Sequence, residues 1–291
     1  MPRSLLQAAN IPMSHTTLIS VADLAKHLDD QAFVIFDCRH ELTNPDFGIK
    51  AYAQSHIPNA LFAHLDRDLA APLTGRNGRH PLPDPNVFAE WLARMGVSND
   101  KQVVGYDNAG GVYGSRLWWM LRWMGHQTAA VLDGGWQAWL AAEQPVSAAV
   151  RIAKPARFTG KPEKPAVDAK YVLDHLQSSD MVLIDARAND RYHGQNETID
   201  PIGGHIPGAR NRFFKDNLTP QGFFKSPEQL ADDFKSFVGN GSPEKIVSQC
   251  GSGVTACHNL LAMEIAGLKG GRLYPGSWSE WIADPSRPRA T

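Results

Sequence analysis

Cysteine is scarce in this chain, which has only Cys38, Cys250 and Cys257 among its 291 residues. A small, odd number of cysteines argues against a disulfide framework and is typical of a reducing compartment, so we expect a cytoplasmic protein. No two cysteines have the spacing of a metal-binding clip. The sequence therefore predicts no structural zinc site.

A charge excess of either sign is also missing, because 29 basic residues stand against 30 acidic ones. Proteins that bind nucleic acids or membrane surfaces usually carry a basic excess, so we expect neither partner. No apolar run approaches the roughly 20 residues that span a bilayer. Residues 1–20 lack the continuous apolar core of a secretory signal, and we interpret them as a short disordered tail.

The most informative feature that is present is an internal repeat. Four motifs recur in the same order: Phe33–Arg39 as Met181–Arg187, Ser55–Ala60 as Gly204–Ala209, Val103–Asp107 as Ile246–Cys250, and Leu132–Trp136 as Tyr274–Trp278. Repeats this far apart indicate two copies of a domain, since the repeats of a solenoid are much shorter. We place the domains at 14–143 and 167–285. The stretch 144–166, rich in Pro, Lys and Ala, is interpreted as the linker.

Each half alternates predicted strands and helices. Short apolar runs, typical of buried parallel strands, occur at 33–36, 103–106, 181–184 and 246–248. Helices are predicted after the N-cap residues Ser20, Asp168 and Ser226, and at 256–266, where Gly267 ends the helix. This alternation predicts an α/β fold in which each domain has a parallel β-sheet flanked by helices.

Cys250 follows one of these strands and precedes a predicted helix. It opens a loop with the sequence Cys250-Gly251-Ser252-Gly253-Val254-Thr255. The two glycines let the loop curl so that successive backbone N–H groups point at the sulfur, and the N-terminus of the helix adds positive charge. The hydroxyl groups of Ser252 and Thr255 add donors. We interpret Cys250 as a reactive thiol whose site holds a thiolate or a persulfide; the alternative is a buried structural cysteine.

Two other chemistries share the layout of a cysteine between a strand and a helix. Cysteine phosphatases place an arginine at the sixth position after the cysteine, where this chain has Ala256. Papain-like hydrolysis needs a histidine base. We expect the nearby His258 to lie on the helix surface, pointing away from the loop, so neither chemistry fits.

Several motifs together carry a resemblance to a known family. They are the Cys250 loop, the paired Asp-x-Arg strand ends, the His-Ile-Pro-Gly-Ala turn at 205–209 and the Gly-Ser-Trp-Ser-Glu-Trp motif at 276–281. From Ser14 to Pro285 the chain resembles the two-domain rhodanese-type sulfurtransferases. Its loop is similar to that of the 3-mercaptopyruvate branch, whereas the thiosulfate branch more often carries Cys-Arg-Lys-Gly-Val-Thr, whose basic side chains suit a dianion.

The resemblance implies that the first domain is a non-catalytic duplicate and that the active site lies between the domains. The residues agree independently, because Asp107 stands where the second domain has Cys250, and a carboxylate cannot carry a persulfide. The resemblance also implies a catalytic triad of Asp66, His80 and Ser252. Such a relay can deliver the proton that the leaving pyruvate enolate needs.

The resemblance assigns further residues to substrate binding. Arg191 matches the arginine that binds the substrate carboxylate, and Tyr113 matches a tyrosine that the first domain presents to the loop. Arg187 is interpreted mainly as the partner of Asp185 and is kept as a candidate contact. The remaining candidates are the loop residues Gly251, Gly253, Val254 and Thr255.

One expected substrate residue is missing. The family normally has a second arginine before the Gly-His-Ile-Pro turn, and this chain has none there. Arg210 and Arg212, which follow the turn, are the candidates to replace it.

These patterns predict a sulfurtransferase that moves sulfane sulfur from 3-mercaptopyruvate to an acceptor through a Cys250 persulfide. The acceptor is a small thiol, cyanide or a thioredoxin-like protein, and no metal or organic cofactor is required. Three alternatives remain open. They are a thiosulfate sulfurtransferase that uses the same persulfide, a sulfur-carrier or protein-interaction module loaded by a partner enzyme, and a purely structural role.

Overall fold

The computed structural model describes residues 14–163, 166–239 and 241–291. Most of the tail expected at 1–20 lies outside these ranges. The expectation is wrong for Leu18–Ile19, which forms a strand (β1) that pairs with residues 131 and 132. The physical reason is burial, because the apolar side chain of Ile19 packs into the core.

The strands of the described residues form two sheets in which all neighbouring strands run parallel. The first half contains β1, β2 (Phe33–Asp37), β3 (Leu61–Phe62), β4 (Gln102–Tyr106) and β5 (Ala129–Leu132). The second half contains β6 (Val182–Asp185), β7 (Arg210–Asn211), β8 (Ile246–Gln249) and β9 (Arg272–Leu273). The strand orders are β1-β5-β4-β2-β3 and β7-β6-β8-β9, so β8 occupies the place of β4.

Helices connect these strands and cover the sheets. In the first half they are α1 (Val21–Leu24), α2 (Phe47–Gln54), α3 (Leu65–Asp68), α4 (Pro85–Arg94), α5 (Val112–Trp123) and α6 (Gly135–Ala141). In the second half they are α7 (Ala169–Asp174), α8 (Asn189–Tyr192), α9 (Pro227–Val238), α10 (Thr255–Ile265) and α11 (Ser277–Trp281). Short 3₁₀ turns lie at Ala25–His27, Phe214–Asn217 and Pro243–Lys245. Within the described ranges, no helix is both long and apolar enough to cross a membrane. The predicted α/β fold with two parallel sheets is confirmed.

The predicted N-caps are present. The side chain of Ser20 accepts the N–H of Asp23, and that of Asp168 accepts the N–H of Tyr171. Ser226 forms a capping box with a glutamine three residues later, ahead of a proline at the first helical position. Each cap satisfies an N–H group that a helix start would otherwise leave unpaired.

The two halves share one hydrophobic core, since α5 of the first half packs against α10 of the second. This packing shows that the expectation of a helix-surface position for His258 is wrong. His258 is fully buried, its Nε2 lies 2.9 Å from the carbonyl oxygen of Gly110, and its ring stacks on Phe224. The reason is that α10 is enclosed on all sides and leaves no exposed face at this position.

The segment expected to be a linker contains no helix or strand in its described part, 144–163 and 166. It follows the surface of the first half. The N–H of Ala156 donates to the carbonyl of Ala93, and the N–H of Glu163 donates to the carbonyl of Trp123. Phe158 is buried in the shared core.

The loop after β4 closes around the side chain of its first residue, Asp107. Asp107 is fully buried, and its two carboxylate oxygens accept the backbone N–H groups of Ala109, Gly111, Tyr113 and Gly114 at 2.7–3.0 Å. Burial raises the pKa of Asp107, against the opposing effect of these four donors. The carboxylate therefore serves as the internal anion that holds this loop together.

Exchange of Asp107 for alanine is expected to destabilise the protein strongly. It would leave four buried N–H groups without their acceptor, and we expect a loss of roughly 3 kcal/mol or more in the free energy of unfolding. The corresponding fall in the unfolding midpoint is roughly 5–10 °C. Thermal unfolding followed by circular dichroism measures it, with Asp46→Ala, which removes an exposed aspartate, as the matched control. Equal midpoints for the two variants would contradict this account of the loop.

Candidate active site

The loop after β8 wraps around the sulfur of Cys250. The thiol is almost fully buried, and its Sγ accepts the backbone N–H of Ser252 at 3.4 Å and that of Gly253 at 3.1 Å. Gly253 has a φ of +76°, and a Cβ there would lie 2.4 Å from the carbonyl oxygen of Pro275. Only glycine fits this position, so the sequence produces a nest of N–H groups that favours negative charge on the sulfur.

Helix α11 holds the loop from outside. The N–H of Trp278 donates to the carbonyl of Cys250 at 3.0 Å, and the N–H of Ser279 donates to that of Gly251 at 2.9 Å. The hydroxyl oxygen of Ser277 accepts the N–H of Cys250 at 3.1 Å. Because these outward backbone groups are satisfied, the inward N–H groups remain directed at the sulfur.

A chain of hydrogen bonds joins the loop to the first half of the molecule. His80 Nδ1 lies 2.7 Å from Ser252 Oγ, and His80 Nε2 lies 3.1 Å from Asp66 Oδ1. Asp66 belongs to α3, and His80 lies in the loop before α4. The fold thus brings together the three residues proposed for a triad. Asp66 and His80 are 14 residues apart in the sequence, and Ser252 belongs to the other domain.

The electrostatics around these hydrogen bonds favour a neutral His80 ring. Burial lowers the pKa of His80, although the hydrogen bond and charge of Asp66 act in the opposite direction. The hydrogen bond from His80 lowers the pKa of Asp66. A neutral ring that donates from Nε2 to the carboxylate leaves Nδ1 free to accept the Ser252 hydroxyl.

A cavity of about 310 Å³ opens over the thiol between the two halves. Most of the predicted site residues line it, namely Tyr113, Arg187, Arg191, Cys250, Gly251, Ser252, Val254 and Thr255. Apolar walls come from Leu42, Ala109, Val112, Phe213 and Phe214. Burial raises the pKa of Tyr113, so its phenol stays protonated at neutral pH.

The arginines at one end of the cavity already have carboxylate partners. Arg187 forms the expected ion pair with Asp185 and also donates to the carbonyl of Gly204. Arg191 donates from Nε and Nη2 to the two oxygens of Glu197, both at 2.9 Å. These two guanidinium groups are therefore already paired with carboxylates of the protein itself.

Neither candidate for the missing second arginine reaches this cavity. Arg210 donates to the carbonyl of Ser236 and lies over the ring of Phe237. Arg212 binds Asn217 and forms ion pairs with acidic side chains of its own domain. Both guanidinium groups are occupied away from the thiol, so neither residue is placed to replace the missing arginine.

Two arginines at the site were missed from the sequence. Arg79 lines the cavity, and Arg116 is fully buried beneath the loop, where it donates to the carbonyl of Gly253 at 3.2 Å. The available signals were the position of Arg79 directly before His80 and the position of Arg116 in the middle of the mostly apolar sequence of α5. Neither signal reveals which neighbours the side chain meets.

Three side chains next to the triad have the chemistry of metal ligands. His40, His64 and Asp66 each place one ligand atom within 4.8 Å of the others. His64 Nδ1 accepts the backbone N–H of Asp66, and Asp66 Oδ1 is hydrogen-bonded to His80 Nε2. In this arrangement two of the three groups already serve as hydrogen-bond acceptors.

Known proteins resemble the chain along most of its length. The family model for the rhodanese-like domain matches residues 20–142 and again 168–284. A probable 3-mercaptopyruvate sulfurtransferase from Pseudomonas aeruginosa is 44% identical, over 96% of this chain and 99% of the relative. A thiosulfate sulfurtransferase from Cricetulus griseus is 38% identical, over 80% of this chain and 79% of the relative.

Solved structures give the same result. The structure of 3-mercaptopyruvate sulfurtransferase from Leishmania major superposes with a TM-score of 0.81 at 31% sequence identity, covering 91% of this chain and 74% of that chain. Two matched domains, close relatives and a shared architecture agree with the reactive cysteine in its loop. The chain belongs to the family of rhodanese-like domain proteins and is a sulfurtransferase.

Proposed function

We propose that the chain transfers sulfur from 3-mercaptopyruvate through a persulfide on Cys250, in a ping-pong cycle. The observation that carries the proposal is the contact between Ser252 in the nucleophile loop and His80 of the first domain. It connects a sulfur held by backbone N–H groups to a proton relay in which Ser252 and His80 are buried. Thiol activation and proton delivery are the two tasks that the reaction requires.

In the proposed first half-reaction the Cys250 thiolate attacks the sulfur of 3-mercaptopyruvate. The S–S bond forms as the C–S bond breaks, and the electron pair of the C–S bond leaves on the enolate of pyruvate. The Ser252–His80–Asp66 relay takes the S–H proton of the donor and passes it to the enolate carbon. The products are pyruvate and an anionic persulfide, so atoms and charge balance.

The remaining candidate residues receive binding roles in this proposal. Arg191 binds the donor carboxylate, with Arg187 and Tyr113 beside it in the cavity wall. The N–H groups of Ser252 and Gly253 hold the persulfide. Gly251, Val254 and Thr255 shape the floor of the cavity.

In the second half-reaction an acceptor thiolate or cyanide attacks the outer sulfur and restores the Cys250 thiolate. We propose a small thiol, cyanide or a thioredoxin-like protein as acceptor, with no metal or organic cofactor and a cytoplasmic location. We also propose 14–143 as the non-catalytic domain, 144–166 as the linker and 167–285 as the catalytic domain.

A second candidate donor is thiosulfate, which the relative from Cricetulus griseus is named for. The observation that favours it is the presence of three arginines in the cavity wall, Arg79, Arg187 and Arg191, although the nucleophile loop itself has no basic residue. Parallel steady-state assays decide between the donors. A higher kcat/KM on thiosulfate would overturn the assignment of 3-mercaptopyruvate, and negligible turnover of both donors would favour a carrier loaded by a partner enzyme.

Brief exposure to 3-mercaptopyruvate is expected to add one sulfur atom to the protein. Intact-mass spectrometry measures the gain, which a reducing agent should remove. The gain should be absent in Cys250→Ser and retained in Cys257→Ser. The second variant is the matched control, because Cys257 is a fully buried cysteine of α10, the helix that follows the loop. A sulfur adduct that persists in Cys250→Ser would show that the nucleophile has been assigned wrongly.

Exchange of His80 for glutamine is expected to lower kcat on 3-mercaptopyruvate on the order of 10²-fold, because the relay loses its base. Burial lowers the pKa of His80 below 6.5, so the neutral form persists at pH 7 and kcat/KM falls only on the acid side of that value. This acid limb should disappear in His80→Gln. The pH profile of His27→Gln, a variant at a half-exposed histidine, serves as the control. An unchanged acid limb in His80→Gln would exclude His80 as the titrating group.

A further inference from the structure

Two histidines and a carboxylate of the first domain face one another beside the proton relay. One ligand atom from each of His40, His64 and Asp66 lies within 4.8 Å of the other two. His64 Nδ1 and Asp66 Oδ2 are 3.9 Å apart, and the ring of His40 meets that of His64 edge-on, with 5.8 Å between centroids. Zinc bonds of roughly 2.0–2.2 Å in a tetrahedral site place the ligand atoms about 3.5 Å apart, so modest side-chain rotations bring these groups to ligating distance.

His40 has no hydrogen-bonding role for its ring. The residue is only 3% exposed, and neither ring nitrogen has a hydrogen-bond partner among the described residues. Buried polar groups are nearly always paired, because an unpaired group has lost its water without a replacement. The ring is held between His64 and Tyr113, and it meets the tyrosine edge-on at 5.2 Å. A buried imidazole with unused nitrogens therefore lies beside two further groups of metal-ligand chemistry.

All three groups have the protonation state that a metal ion binds. Burial lowers the pKa of His40 to about 4, so its ring is neutral at pH 7. Burial lowers the pKa of His64 as well. The hydrogen bond from His80 lowers the pKa of Asp66, which stays ionised. A cation therefore binds to this cluster at neutral pH without displacing protons.

The carboxylate of Asp66 offers different oxygens to the ion and to the relay. Its Oδ1 is hydrogen-bonded to His80 Nε2, whereas Oδ2 is the oxygen 3.9 Å from His64 Nδ1. The side chain of Asp66 is 39% exposed, so ions reach it and water can complete the coordination. His64 Nδ1 accepts the backbone N–H of Asp66 at 3.1 Å, and a bound ion takes the place of that N–H. The cost of binding is one helix-capping hydrogen bond.

We propose that His40, His64 and Asp66 bind a zinc ion reversibly, and that the bound ion inhibits sulfur transfer. Two imidazoles and one carboxylate form the donor set of open zinc sites, in which water takes the fourth position. The ion is an inhibitor and not a cofactor, because it withdraws negative charge from the carboxylate that orients His80. The inhibition rests on the proposed function, in which Asp66 belongs to the relay, whereas the binding site does not.

Cobalt(II), which binds the same ligands as zinc and absorbs visible light, is the probe for the site. The titration uses Cys250→Ser, which lacks the reactive thiol as a competing ligand. Visible bands appear without the near-ultraviolet band of a thiolate ligand, and zinc removes them. His40→Phe, added to this background, keeps a ring against Tyr113 and raises the Kd for zinc on the order of 100-fold. His126→Phe is the matched control and keeps the Kd, because His126 is buried with an unpaired Nδ1 but belongs to no such cluster among the described residues.

Turnover of 3-mercaptopyruvate by the chain with its native Cys250 measures the inhibition. A metal buffer fixes free zinc at the concentration that saturates the site in the titration, because the thiol of the donor also binds zinc. The kcat falls on the order of 10-fold or more, since the carboxylate of the relay is shared with the ion, and a chelator restores it. His40→Phe has the same kcat with zinc as with the chelator.

Equal zinc affinities of His40→Phe and His126→Phe overturn the site. Inhibition that persists in His40→Phe overturns the inhibitory role, because it places the inhibiting ion on another group. Thermal unfolding of each variant shows whether it is folded. Should His40→Phe fail to fold, His64→Asn replaces it in both experiments, because asparagine keeps the cap on the N–H of Asp66 and removes the imidazole.

Failure of the proposed function has a different signature. Zinc that binds at the cluster without lowering kcat upholds the site, overturns the inhibitory role and contradicts the place of Asp66 in the relay. A wild-type protein that does not turn over 3-mercaptopyruvate contradicts the donor assignment, and the cobalt titration, which needs no donor, still decides whether His40 binds the ion.

Discussion

The guanidinium of Arg116 lies between the two parts of the active site and fixes their separation. It extends from α5 and donates to the carbonyl oxygens of Leu69 and His80 in the first domain and of Gly253 in the second. Because the group is planar and its N–H bonds point in fixed directions, these three carbonyls cannot shift independently. The Cys250 loop and the histidine that contacts its serine are therefore positioned by one fully buried cation, which the packing of α5 on α10 holds in place.

Duplication has produced two versions of the same anion-binding loop. In the first domain the loop after β4 surrounds the carboxylate of Asp107, which accepts four backbone N–H groups. In the second domain the loop after β8 surrounds the sulfur of Cys250, which accepts two. A permanent internal anion makes the first loop rigid and chemically inert, whereas a thiol leaves the second loop able to bind a second sulfur atom. The first domain then contributes side chains from its other loops, and this division explains why the site needs both copies.

Short sequence patterns predicted those features of the structure that depend on residues close together in the sequence. The strands, the cap at Ser226 and the loop of Cys250 each depend on residues that are close in sequence, and the repeat made the architecture evident. The members of the hydrogen-bonded relay from the first domain carry no local pattern, and only the family resemblance pointed to them. Arg79 and Arg116 were missed, and His258 was misplaced, because their surroundings arise from the packing of one domain on the other. Sequence periodicity describes the faces of one element and does not specify which distant element covers them.

The balance of charge in the cavity connects the capture of the donor with the release of the product. Arg191 already has Glu197 as a partner, and Arg79 has Asp200, so an entering anion replaces an ion pair instead of adding a new one. Exchange of this kind limits the affinity for any anion, since the gain in Coulomb energy is offset by the loss of the resident pair. In the proposed ping-pong cycle pyruvate keeps the carboxylate of the donor and has to leave before an acceptor reaches the persulfide. In the proposed cycle the resident ion pairs form again as the product leaves, so the carboxylates that weaken donor binding also help to clear the site for the second half of the cycle.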